Sequence, residues 1–150
     1  MPNYPDIETL LCDWLASKLP TGPDALFRRW VPEVPGDMFA SSTGTPCVVI
    51  ERYGGSDDIP GLDVARVSID VYCAGPDPLL SRAAAKARGE DIRRVISLSI
   101  VGQTLGLGGP VVSHRRILQA PTIRPYDSRA AIRRSQGSYE IRLHSTLSHA

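Results

Sequence analysis

The chain has 150 residues, 42% of them apolar and 22% charged, with a formal net charge of +1. That length and balance predict one domain over residues 1–150, burying roughly 68–70% of its unfolded surface, and exclude a disordered polymer. Near-neutrality gives no overall pull toward nucleic acid or an anionic membrane. No apolar run approaches the ~18 residues of a membrane span, and no basic segment followed by an apolar one marks a secretion signal.

Residues 6–18 are expected to form a helix. Ile7, Leu10, Leu11, Trp14 and Leu15 fall on one i, i+3, i+4, i+7, i+8 stripe, with Trp14 as a core anchor. Pro5 suits a first turn, Asp6 and Glu8 complement the positive end of the helix dipole, and Pro20 ends the element. Residues 20–46 are rich in Pro, Gly, Ser and Thr. One strand is expected within Ala25 to Val34, with Phe27 and Val31 buried; residues 37–45 form a long connection and a candidate contact arm.

A hairpin follows. Pro46 to Tyr53 and Ala65 to Cys73 read as strands, joined by a turn-rich loop over residues 54–63. Strict alternation through Arg66, Val67, Ser68, Ile69, Asp70 and Val71 predicts one apolar and one wet, charged sheet face. Leu79 to Val101 reads as a second helix, favoured by Ala83, Ala84, Ala85 and Ala87 and striped by Ile92, Val95 and Ile96. Gly89 in its middle costs roughly 1 kcal/mol relative to alanine. Residues 102–110 are a loop. Val111 to Ala120 is a strand, Pro121 to Ala130 a connector, and a last strand over about 132–147 alternates through Tyr139, Ile141 and Leu143. The expected fold is α+β: a mostly antiparallel sheet with both helices on its apolar face.

Catalytic and ligand motifs fail on chemistry. The glycine-rich 102–109 stretch lacks the Lys-Ser/Thr of a phosphate loop and leads into a strand. Asp57, Asp58 and Asp63 do not have calcium-loop spacing. His114, His144 and His149 have no neighbouring second ligand, and no serine sits in a G-x-S-x-G elbow. Glu51 and Asp70 would pair as carboxylates only in one hairpin register, and no base partner accompanies them. Cys12, Cys47 and Cys73 form no C-x-x-C and read as small buried thiols in a reducing compartment. No catalytic residue, cofactor or metal is assigned.

Charge is unevenly distributed. Residues 1–70 hold 11 acidic and 5 basic side chains, residues 71–111 hold 3 and 5, and residues 112–150 hold 2 and 7. Such polarity lets copies of one chain attract each other around a ring; two solvated faces are the plainer reading. Arg115, Arg116, Arg124, Arg129, Arg133, Arg134 and Arg142 interleave with Tyr126 and Tyr139, a mixture that also suits phosphates or single strands. The candidate contact residues are Asp57, Asp58 and Asp63 against Arg115, Arg116, Arg124, Arg133 and Arg134.

Several segments carry a family resemblance. Tyr4-Pro5-Asp6 precedes the first helix, followed by Val49-Ile50-Glu51-Arg52-Tyr53-Gly54-Gly55 and Val67-Ser68-Ile69-Asp70-Val71-Tyr72. Arg124-Pro125-Tyr126-Asp127 and Tyr139-Glu140-Ile141-Arg142 complete the set. With these, the chain resembles tail terminator proteins of long-tailed phages of actinobacteria over most of its length, and the element order is similar to that of the phage lambda tail terminator. The resemblance implies a non-enzymatic virion protein of the neck, assembled in the host cytoplasm. Six copies would form a ring on the last ring of the tail tube, halt its growth and present a surface to a head-side connector or stopper. DNA would pass through the centre without sequence-specific binding, and neither cofactor nor membrane would be involved. The loops 54–63 and 102–109 and the arm 36–45 are the expected contacts. A different neck component, or a nucleic-acid-binding module built on the arginine-rich last third, are the alternatives.

Overall fold

The computed structural model describes residues 6–19, 29–32, 47–74, 78–127 and 132–145. Helix α1 (Ile7–Lys18) starts where the Asp6 carboxylate accepts the Thr9 backbone N–H at 2.7 Å, an N-cap that satisfies one orphan donor of the first turn. Strand β1 (Arg29–Val31) is followed by β2 (Cys47–Ser56) and β3 (Leu62–Ala74), then α2 (Pro78–Ser99), β4 (Val111–Asp127) and β5 (Ile132–His144). The five strands make one sheet in the order β1-β2-β3-β5-β4. Among the described residues only the short β1–β2 pairing is parallel. This is the α+β, mostly antiparallel architecture expected, with α1 packed on β1 and β2 and α2 on β3, β5 and β4.

Burial follows the strand alternation. Ala65, Val67, Ile69, Val71 and Cys73 of β3 and Tyr139, Ile141 and Leu143 of β5 point at the helices. They meet Leu10, Leu11, Trp14 and Leu15 of α1 and Ile92 and Ile96 of α2, the residues of the two sequence stripes. The opposite face carries Arg66, Ser68 and Asp70 on β3 and Gln136, Ser138 and Glu140 on β5, paired in register. That face is not polar throughout. Cys47, Val49, Tyr72 and Ile132 form a second, smaller apolar cluster at one corner, with Val31 against it. All three cysteines are buried and none forms a disulfide, and burial pushes the Cys12 and Cys73 thiols up to about 12.

Several features differ from expectation for physical reasons. The hairpin strands run further, to Ser56 and from Leu62, because a bulge between Arg52 and Gly54 restores pairing beyond the expected end. Strand β4 continues through Pro121 and Pro125 to Asp127, which the sheet permits because β4 is an edge strand and its prolines need donate no ladder bond on the open side. Strand β1 is three residues, and its core residue is Trp30, whereas Val31 faces the smaller cluster; Phe27 lies outside the described residues. Gly89 keeps its place in α2 because a Cβ there would collide with Ser135 and Pro121. The helix crosses β5 and β4 closely at that point, which offsets the propensity loss.

Ile141 is fully buried between α2 and the sheet centre. Ile141→Ala should lower unfolding stability by about 2–5 kcal/mol, seen as a fall in the urea midpoint at unchanged slope.

Candidate interaction surface

The sheet collects two distant loops at one end. Leu62 of β3 pairs with His144 of β5, and His144 pairs in turn with Val111 of β4. The β2–β3 turn (residues 57–61) and the α2–β4 loop (residues 100–110) therefore emerge from the same rim. The Ser145 N–H donates to the Gly61 carbonyl at 2.9 Å and ties the end of β5 to the hairpin turn.

The α2–β4 loop is anchored by its backbone and by one side chain. The Gly102 N–H donates to the Val112 carbonyl, the Val112 N–H to Gln103, and the Leu105 N–H to Pro110. Leu105 is fully buried in the main core, and Gly106 lies against Leu10 of α1. Leu107, between two glycines of positive φ (79° at Gly106 and 68° at Gly108), is turned fully into solvent. Val101 of the same loop, Leu98 in the last turn of α2 and Ile59 of the hairpin turn are also exposed. One rim thus displays four large apolar side chains. A surface leucine alone is ordinary, whereas a leucine held outward on a tied-down loop, at an end of the sheet where three further large apolar side chains are exposed, is a candidate contact feature.

The charged candidates are distributed by strand. Asp57 and Asp58 sit exposed at the hairpin turn, Asp58 accepting the Ser56 hydroxyl at 2.9 Å. Asp63 is not at the turn. It stands on β3, and Arg52 donates to both its oxygens at 2.8 Å, a bidentate pair across the hairpin. That pairing holds the Arg52 guanidinium above its ordinary pKa. Arg115 reaches the helix side and donates twice to the Ser97 carbonyl in the last turn of α2, where it satisfies an orphan acceptor. Arg133 donates to the Ile132 carbonyl. Arg116 and Arg124 stand exposed on β4, Arg124 directly opposite half-buried Arg134 of β5. The fold therefore separates the eight candidates: Asp57 and Asp58 lie at the turn, Arg116, Arg124 and Arg134 on the polar face, with Arg134 acting on the buried Asp70, and Asp63, Arg115 and Arg133 are held by the partners just named. The arm 36–45, Tyr126 and Arg129 lie outside what can be described of side chains.

Two carboxylates on the polar face are buried, which the sequence did not indicate. Glu140 is held between Arg66 (3.4 Å) and Arg142 (3.8 Å), the cationic company a buried carboxylate requires. Asp70 is 9% exposed; its Oδ2 accepts the Tyr72 hydroxyl at 3.4 Å, and its Oδ1 has no hydrogen-bond partner. Burial raises its pKa, with Glu51 adding to the effect, against the lowering influence of Arg134, Tyr72 and Gln136. Glu51 pairs with Ser68 and Asp70 with Val49, so the two carboxylates are diagonal neighbours on one face, not direct partners. Among the described residues no group of three or more His, Cys, Asp or Glu is placed to hold a metal ion. No helix is long and apolar enough to cross a membrane.

No family model matches the chain, and no curated protein does. Among solved structures, a chain from a "virion of native gene transfer agent (GTA) particle" is similar at a TM-score of 0.42 and 18% identity, covering 77% of this chain and 78% of that one.

The raised Asp70 pKa has a sign for stability. A folded pKa above the unfolded value means the contribution is complete below pH 3.8 and is lost as pH rises through the folded pKa. Asp70→Asn, which stays neutral, should unfold at a higher temperature than the parent at pH 7. The gap should close as pH falls below 3.8, followed by calorimetry across that range. An unchanged or lower melting temperature at pH 7 would contradict the account.

Proposed function

We propose that this chain is a structural protein of a phage-type virion, and more narrowly a tail terminator. In this reading six copies form a ring that seats on the head-proximal end of the tail tube, stops its polymerisation and offers its other side to a head-side connector. The work is done by surface fit and symmetric closure, not by turnover of a substrate.

The observation that carries the reading is the rim. The β2–β3 turn and the α2–β4 loop emerge at one end of the sheet, where Ile59, Val101 and Leu107, with Leu98 of the adjoining last turn of α2, are exposed. A monomer gains nothing from holding Leu107 outward on a hydrogen-bonded, core-pinned loop. A ring that presses six such loops on a tube end does: each leucine buried is worth about 1.5–3 kcal/mol, and six-fold repetition multiplies the gain. The segment resemblance to actinobacteriophage tail terminators and the matching element order support the same assignment. The neck of a virion is the compartment that follows from it, with the tail tube protein and a head-side connector or stopper as partners.

Electron microscopy of the purified protein, alone and mixed with cognate tail tubes, tests the reading. Six-fold rings or capped tube ends are expected. A protein that stays monomeric and leaves every tube end bare would end it. Leu107→Asp should cut the fraction of capped ends at least tenfold while the unfolding midpoint stays that of the parent.

A further inference from the structure

The fold converts the charge gradient of the sequence into a gradient across the sheet. Helix α1 and strand β2 lie together on one flank. There Asp13, Glu51, Asp57 and Asp58 are all exposed, and among the described residues none of the four forms an ion pair. Strand β4 is the edge of the other flank. There Arg116 and Arg124 are exposed, and among the described residues neither forms an ion pair.

Local partners do not explain these arginines. Arg116 pairs in register with Glu140, but that carboxylate is already taken by Arg66 and Arg142. Arg124 stands opposite Arg134, a like-charge cross-strand pair; the buried Asp70 carboxylate on the same face acts on Arg134, while Arg124 itself is exposed on the edge. Nor can the acidic hairpin turn of the same copy reach Arg124. The hairpin turn belongs to the His144 end of β5, and Arg124 to the row of Arg134, ten residues along the strand. At ~3.3 Å per residue the two are about 33 Å apart along the strands alone, beyond several Debye lengths at physiological salt.

We infer that the β4 flank, through Arg116 and Arg124, docks the acidic α1/β2 flank of a second copy of this chain, with Asp57 and Asp58 as its leading charges. Opposite charges on opposite flanks give a heterologous, head-to-tail contact, the kind that closes into a ring when the rotation fits. The contact runs through side chains. Pro121, Pro125 and four breaks of register leave β4 a poor template for backbone strand addition. The inference rests on the ring reading above and supplies the lateral contact that the apolar rim leaves open.

Charge reversal tests it, because the contact has two distinct sides. The Asp57→Lys, Asp58→Lys variant and the Arg116→Glu, Arg124→Glu variant should each need at least a tenfold higher concentration for half-assembly by sedimentation velocity, with unchanged unfolding midpoints. Mixing the two should restore rings, since each reversed flank then meets a reversed partner, and the quadruple variant should assemble alone. If the parent forms rings and both reversals assemble like it, the lateral contact lies elsewhere and the ring reading stands. If the parent forms no assembly alone or on tubes, the ring reading fails and takes this contact with it. If Arg116→Glu, Arg124→Glu assembles normally but loses affinity for duplex DNA, the flank is a phosphate-binding surface and the inference is overturned.

Discussion

The thirteen-residue register between β3 and β5 is the constraint on which the rest of the molecule depends. It runs unbroken from Leu62↔His144 to Ala74↔Ile132. Because side chains alternate with a period of two, a slip of one residue would send Val67, Ile69, Tyr139 and Ile141 to the wet face and Arg66, Asp70 and Glu140 into the helices. The cost of that exchange is several buried leucine-sized groups and several uncompensated charges. The same register decides which loops meet at the rim, since His144 is the residue that links β3 to β4 there. A single choice made in the core thus places the helices, the polar face and the exposed apolar end.

The rim shows how core packing serves presentation. Leu105 and Leu107 are two residues apart in one loop, and they have opposite fates. Leu105 is drawn into the main core, and the backbone bonds of residues 102, 103 and 105 fasten the loop to Pro110 and to Val112 at the start of β4. The glycines on either side of Leu107 adopt positive φ, which lets the chain reverse without burying that side chain. Ordering a contact loop before association reduces the conformational entropy lost when a partner binds. An apolar group held out by a preformed loop is therefore more useful to an assembly than the same group on a loose one.

Much of this was legible in the chain. The α1 stripe ending in Trp14 and Leu15 and the alternation of Val67, Ile69 and Val71 toward the helices appear in the structure as read, since the periods of both elements are undisturbed. The rest needed tertiary information. Pro121 and Pro125 read as breakers because local sequence does not say that β4 is an edge strand. Gly89 read as a defect because nothing local announces Ser135 and Pro121 beneath it. Asp63 read as a turn charge and Arg115 as a contact arginine; their partners, Arg52 and the Ser97 carbonyl, lie 11 and 18 residues away. The burial of Glu140 and Asp70 was hidden because alternation marks a face as polar without saying how densely that face is packed. The meeting of the 57–61 and 100–110 loops depends on strand order, which no local pattern contains.

A near-zero net charge and a strong internal polarity are compatible demands. Copies that each carried a large charge of one sign would repel as they gathered, and a ring would have to overcome that repulsion six times. Copies with no polarity would attract without orientation. A chain with Asp13, Glu51, Asp57 and Asp58 exposed on one flank and Arg116 and Arg124 exposed on the other has little net repulsion and a preferred direction of approach. The engaged arginines sharpen that direction. Arg52 is spent on Asp63, and Arg66 and Arg142 on Glu140, whereas Arg116 and Arg124, which form no ion pair among the described residues, are both exposed on one edge strand. The prolines and bulges of the same strand discourage open-ended strand addition, which leaves a side-chain contact of defined sense as the mode of association this edge favours.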